Sequence, residues 1–242
     1  MQNPNVLLAG STGYLGSHLA QALYKKGIPT RLLVRDVNRA PLKNPGLGVL
    51  CAEVTRPETL SKSMQKIDVV ISTIGITRQK DGLSYMDVDY QANMNLLDQA
   101  LIQGVKRFIY VSSLNGEKLR HLKICEAKEK FADALKSSGI DYTIVRPNGF
   151  FADLGEFLKM AQKGRIYLPG DGSKRLNPIH GADLAEAIIG LFSNPAAELN
   201  IGGPEIFTQN EIAQLCFAAA GKTCKITYIP EWVRRQLLFL LR

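Results

Sequence analysis

The chain has 242 residues, 45% of them hydrophobic and few of them aromatic, which suffices for one large α/β domain, alone or with a small appendage, and excludes a disordered chain. Its formal charge of +8 comes from Lys and Arg dispersed among acids, as in Lys123 to Lys130; with no single-sign block and no interleaved aromatics, no nucleic-acid partner is expected. Cys51, Cys125, Cys216 and Cys224 form no Cys-x-x-Cys pair and no metal-like cluster, and no apolar targeting segment precedes Pro4, so a reducing, cytoplasmic setting without a metal site is expected.

The first predicted element is the apolar run at 5–9. It leads straight into Gly10-Ser11-Thr12-Gly13-Tyr14-Leu15-Gly16 and then into a helical pattern at 14–26. Glycine is wanted where a buried strand turns sharply, where the backbone approaches a pyrophosphate, and where the helix meets the strand; Gly10, Gly13 and Gly16 fit those roles. Further apolar runs at 31–34, 48–52, 67–72, 107–112 and 141–146 alternate with helical patterns at 57–65, 86–103 and 122–138. Strands and helices in alternation predict a Rossmann-type, doubly wound parallel sheet of order 3-2-1-4-5-6. Its ligand edge then lies near Ala9, Arg35, Glu53, Thr73, Ser112 and Arg146.

After Pro147 the pattern changes. A helix at 151–163, a short strand at 165–168, the turn Pro169-Gly170-Asp171-Gly172 and helices at 181–193 and 208–220 predict a small C-terminal substrate lobe. We therefore read 1–146 as the dinucleotide-binding core and 147–242 as the substrate-side lobe of the same domain. A last helix is expected after Pro230, with Leu237 to Leu241 beside Arg234, Arg235 and Arg242; it is too short to span a bilayer. Packing against its own domain or a partner subunit is favoured over contact with a membrane surface.

The end of the second strand carries both Arg35, suited to an adenosine 2′-phosphate, and Asp36, suited to a ribose hydroxyl, with Arg39 close behind. Two arginines against one acid favour NADP(H) over NAD(H). Small residues, Ser72 to Gly75, end the fourth strand, and Ser112 and Ser113 end the fifth, where a serine can hold a substrate oxygen.

These features, with Val88-Asp89-Tyr90-Gln91-Ala92-Asn93, Val105 to Ser113, Ala127-Lys128-Glu129, Ser138 to Phe150 and Pro178 to Ala185, resemble the short-chain dehydrogenase/reductase superfamily, more closely its atypical, NmrA-like, NAD(P)H-binding branch. The resemblance implies that Gly10, Thr12, Gly13, Tyr14, Leu15 and Gly16 serve the pyrophosphate region and Arg35 the 2′-phosphate. It implies Glu53 and Val54 for the adenine, Thr73, Ile74 and Gly75 beside the ribose, and Pro147, Asn148, Gly149 and Phe150 as the nicotinamide wall. Standard members place a proton-delivering tyrosine four residues before a lysine that binds ribose. Here Lys128 holds the lysine position but Ile124 holds the tyrosine's, and isoleucine transfers no proton.

His121, two turns before Lys128, is some 10 Å away along the axis and reads as a surface residue. Cys125 reads as packed, His180 as a residue ahead of a helix, and Tyr85 as part of a polar loop over the cofactor edge. The leading expectation is an oxidoreductase passing hydride between NADPH and a small carbonyl or conjugated alkene, with Lys128 on the ribose and Ser112 or Ser113 on the acceptor. The rival is a non-catalytic NADP(H)-binding redox sensor or assembly factor with a partner protein. A dimer is left open.

Overall fold

The computed structural model describes residues 3–76, 82–230 and 232. Its elements, in chain order, are β1 (Val6–Ala9), α1 (Tyr14–Lys25), β2 (Thr30–Val34), β3 (Gly46–Cys51), β4 (Val69–Ser72), α2 (Ala92–Ile102), β5 (Arg107–Val111), α3 (Lys123–Ser137) and β6 (Asp141–Pro147). They continue with α4 (Gly155–Gln162), β7 (Ile166–Pro169), β8 (Arg175–Leu176), α5 (Gly181–Gly190), β9 (Glu198–Ile201), β10 (Phe207–Thr208), α6 (Gln209–Ala219) and β11 (Ile226–Ile229). Two compact units result: Met1–Pro147 with Gly181–Ile201, and Asn148–His180 with Gly202–Arg242.

The first unit is a parallel sheet of order β3-β2-β1-β4-β5-β6-β9. The six expected strands appear in the expected order, and β9 extends the sheet beyond β6, with Val145 opposite Leu199. All four residues of β1 and of β4 are buried, as central strands covered on both faces must be. Leu7 and Ala9 join Val70, Phe108 and Tyr110 in the cluster that receives Leu96 and Ala100 of α2 and Phe131 and Leu135 of α3. Val6 and Leu8, of opposite parity, serve the other face, where α1 packs on α5.

Three helical expectations change in kind. The 57–65 pattern yields only a 3₁₀ turn, Pro57–Leu60, because the Ser63 hydroxyl bonds the Leu60 carbonyl and Lys66 turns left-handed at φ 59°. The 86–103 pattern splits into a π turn, Met86–Gln91, and α2. The 151–163 pattern begins with a 3₁₀ turn, Phe151–Leu154, before α4.

In the second unit, β7 pairs in parallel with β11 and β8 antiparallel with β10. Ile166 and Leu168 of β7 bury against Ala161 of α4 and Ala213 and Phe217 of α6. Thr208 and Glu211 close a reciprocal capping box at the start of α6. The expected helix after Pro230 lies outside the described residues apart from Trp232; among those described, no helix is long and apolar enough to cross a membrane.

Candidate functional site

The site begins where β1 runs out. Gly10 adopts φ +82°, and a Cβ there would stand 2.5 Å from Thr73 Oγ1, so the turn needs both the left-handed backbone and the missing side chain. Thr73 fastens the neighbouring strand end, its amide and hydroxyl each donating to the Ala9 carbonyl at 3.0 Å. The Gly13 amide donates to Gly10 O at 3.0 Å, and a Cβ on Gly16 would meet that same oxygen at 2.1 Å. Helix α1 therefore rides directly on the turn. No side chain caps it and no acid lies in its first turn, which leaves its amino end open to an anion.

A cleft of about 390 Å³ opens over this turn. Gly10, Thr12 and Gly13 form one wall, Thr73, Ile74 and Gly75 another, and Arg35, Glu53 and Val54 a third. Leu15 is buried behind it, and the Tyr14 hydroxyl accepts from the Gly181 amide at 3.1 Å at the start of α5. Arg39, Thr55, Ile76, Leu83 and Val88 also line the cleft; sequence reasoning noticed Arg39 but had no signal for the others, which depend on how β3, β4 and the π turn converge.

Arg35 and Asp36 are treated differently by the fold. The Arg35 side chain is 63% exposed, with its Nε 3.9 Å from Glu53 Oε2. Asp36 instead caps the 3₁₀ turn Val37–Arg39, accepting from the Asn38 amide at 2.9 Å, and is not in the lining.

Behind the lining residue Gly75, α3 brings in Lys128. Its Nζ lies 2.9 Å from Asp89 Oδ1, and Asp89 is fully buried. The pair abuts the segment that follows β4: a Cβ on Gly75 would stand 2.6 Å from Asp89 Oδ1 and 2.8 Å from Lys128 Nζ. Asp89 Oδ2 accepts from the Ile76 amide at 3.2 Å. Lys128 Nζ also stands 5.9 Å from the Tyr110 ring centre. Burial disfavours the ammonium, but Tyr110 and the Asp89 carboxylate outweigh it and push Lys128 up to about 12. Burial likewise pushes Tyr110 up to about 12, and its hydroxyl has no hydrogen-bond partner among the described residues.

The two serines diverge. Ser112 is buried and donates to Glu129 Oε1 at 2.8 Å, so its hydroxyl is engaged in the interior. Glu129 in turn holds Arg146, with Nη1 at 2.5 Å and Nη2 at 2.9 Å. Burial disfavours the Arg146 charge, and Glu129 and Glu198 reverse that and raise its pKa. The Ser113 hydroxyl is buried without a hydrogen-bond partner among the described residues.

Ile124 and Cys125 lie in the first turn of α3, Cys125 buried; His121 is exposed just ahead of it. Tyr85 adjoins the π turn, while 77–81 of its polar stretch lie outside the described residues. Pro147 ends β6 in the first unit, its carbonyl accepting from Leu114. Asn148, Gly149 and Phe150 belong to the second unit, where Gly149 O accepts from Ile179 and Phe150 bridges Ile179; exposed His180 follows them there.

Residues 10–195 match the NAD(P)H-binding family. The chain is 30% identical over 232 residues to the photosystem II assembly factor Ycf39 of Guillardia theta, covering 93% of this chain and 73% of that protein. It is also 30% identical over 251 residues to the chloroplastic divinyl chlorophyllide a 8-vinyl-reductase of Arabidopsis thaliana, covering 93% of this chain and 60% of the reductase. Among solved structures it is similar in fold to the NADPH-dependent quinone oxidoreductase QOR2 of Escherichia coli, complexed with NADPH (TM-score 0.76, 22% identity, 93% of this chain and 78% of that one). A nucleoside-diphosphate-sugar epimerase of Staphylococcus aureus is similar too (TM-score 0.79, 24% identity, 93% and 80%). With its glycine turn, its parallel sheet and a family match across most of its length, the chain belongs to the NAD(P)H-binding family, as an atypical short-chain dehydrogenase/reductase.

Proposed function

We propose that the protein binds NADP(H) in the cleft of its first unit and is an oxidoreductase acting on a small carbonyl or conjugated alkene. The glycine turn fits a pyrophosphate, since a side chain at Gly10 would collide with Thr73 and one at Gly16 with the Gly10 carbonyl, so the backbone passes close and bare. Gly10, Thr12 and Gly13 with the amino end of α1 then bind the pyrophosphate, and Thr73, Ile74 and Gly75 flank the ribose. Glu53 and Val54 take the adenine, and Arg35 and Arg39 the 2′-phosphate. NADP(H) is favoured over NAD(H) because both arginines line the cleft while the Asp36 carboxylate is occupied as a cap.

The bound nicotinamide supplies or accepts hydride. Lys128 binds its ribose; of the two serines at the end of β5, Ser112 is committed to Glu129, which leaves Ser113, buried and without a hydrogen-bond partner among the described residues, to hold the acceptor oxygen once a local shift exposes it. Water or the substrate supplies the proton, because Ile124 cannot. The observation that carries the reading is the Lys128 ammonium held beside Gly75, just beyond the end of β4, at the lysine position that serves the ribose in the superfamily. The relatives named as an 8-vinyl-reductase and a quinone oxidoreductase support a conjugated acceptor.

Fluorescence titration with NADPH and NADH tests the cofactor half. NADPH is expected to bind more tightly, and Arg35→Ala to erase the difference; equal binding in the unaltered protein overturns the preference. Assays of NADPH oxidation with quinones, enals and ketones test the enzyme half. Ile124 and the relatives named as assembly factors favour the second reading, a non-catalytic NADP(H)-binding protein with a protein partner. Tight binding without turnover across that panel selects it.

A further inference from the structure

We propose that Asp89 is a positioning residue: its buried carboxylate fixes the Lys128 ammonium beside Gly75, just beyond the end of β4, before any nucleotide arrives. The inference rests on the NADP(H) reading above, and it gives the lysine a partner in a chain where Ile124 stands in place of the tyrosine.

Four features of the fold converge on this carboxylate. It emerges from the π turn Met86–Gln91, a local widening of helix that tends to occur where a side chain must be aimed. The Asp89 carbonyl accepts from Asn93 Nδ2 at 2.9 Å, and Asn93 Oδ1 accepts from the Ser72 hydroxyl at 2.5 Å, so the π turn is tied to the end of β4. The Ile76 amide fixes Oδ2, leaving Oδ1 to face Lys128 at 2.9 Å. Gly75, without a side chain, lets the pair lie against the backbone that follows β4.

A carboxylate with no exposed surface is costly unless paired, and an unpaired ammonium on a flexible stem would sample many rotamers. Held this way, the ammonium is ion-paired with Asp89 Oδ1 at 2.9 Å and keeps N–H donors for the vicinal hydroxyls of a ribose. Among the described residues Tyr110 of β5 and Cys125 of α3 are the other titratable groups acting on Lys128, and Tyr110 remains a neutral phenol below about 12.

The test is an NADPH titration at pH 7 and pH 9.5 on the unaltered protein, Asp89→Asn, Lys128→Met and the double variant. The unaltered protein should bind equally at both pH values. Asp89→Asn should weaken binding about tenfold, as for residues in direct contact, and more at pH 9.5, where the desolvated amine has lost its counter-ion. The double variant should bind no worse than Lys128→Met. Unchanged affinity in folded Asp89→Asn, or losses that simply add in the double variant, would mean a purely structural aspartate and overturn the proposal. Should Asp89→Asn not fold, ¹⁵N-lysine spectra of the unaltered protein decide: a Lys128 ammonium protected from water exchange without nucleotide supports it, and one exchanging like surface lysines overturns it. Failure of the unaltered protein to bind either nucleotide instead removes the cofactor reading, and this inference with it.

Discussion

Gly16 sits so close to the Gly10 carbonyl that one added methyl group would lie 2.1 Å from a backbone oxygen, with no flexible side chain to yield. Gly16→Ala is therefore expected to cost at least about 2 kcal/mol, lowering Tm by roughly 4–8 °C, and to abolish NADPH binding because the turn must open; calorimetry and titration check both. Lys128 supports a pH prediction. Its pKa, raised from the ordinary 10.5 to about 12, means that its contribution to stability is complete below about 10.5 and is lost only as pH rises through about 12. Denaturation curves between pH 6 and 10 should show no loss traceable to Lys128, and Lys128→Met should leave the shape of that profile unchanged. The three glycines were readable because each is demanded by the local geometry of the turn, and Lys128 because it holds the lysine position of the superfamily the sequence resembles. Asp89 was not: in the sequence it is one acid at a helix start, and only the folded π turn aims it at α3.

Arg146 of β6 and Glu129 of α3 join two elements by a buried pair. Arg146→Met leaves Glu129, among the described residues, with the Ser112 hydroxyl as its remaining hydrogen-bond partner and is expected to cost about 3–5 kcal/mol in urea denaturation. Glu129→Gln should cost less, because Arg146 keeps Glu198 and Glu117. Replacing both together, as Glu129→Leu with Arg146→Met, should recover much of the loss. In the second unit, Thr208→Ala removes one half of the capping box of α6 and should lower stability by about 1 kcal/mol. The strands β1 to β6 were legible as apolar runs between turn residues. β9 was not, since Glu198-Leu199-Asn200-Ile201 is four residues long and half polar, and it becomes a strand only by pairing with β6.

At the scale of the molecule, a ligand that binds the folded chain alone stabilises it by mass action. NADPH at about a hundred times its Kd is expected to add about 2.7 kcal/mol, and the absence of any Tm shift at that concentration would count against the cleft. The chain passes between its two units three times, after Pro147, His180 and Ile201. Every lining residue of the cleft, and Lys128, lies before the first of these passages, yet β9, which covers the open side of β6, comes only after the second. During synthesis the nucleotide site is thus spelled out by residue 128, while the sheet that carries it keeps a bare edge, with Ile144 and Val145 beside unpaired amides and carbonyls, until residue 201 has left the ribosome. A nascent chain stalled between those points would be a template for strand addition from its neighbours, and a fragment ending at Pro147 should appear in light scattering as an assembly rather than a monomer.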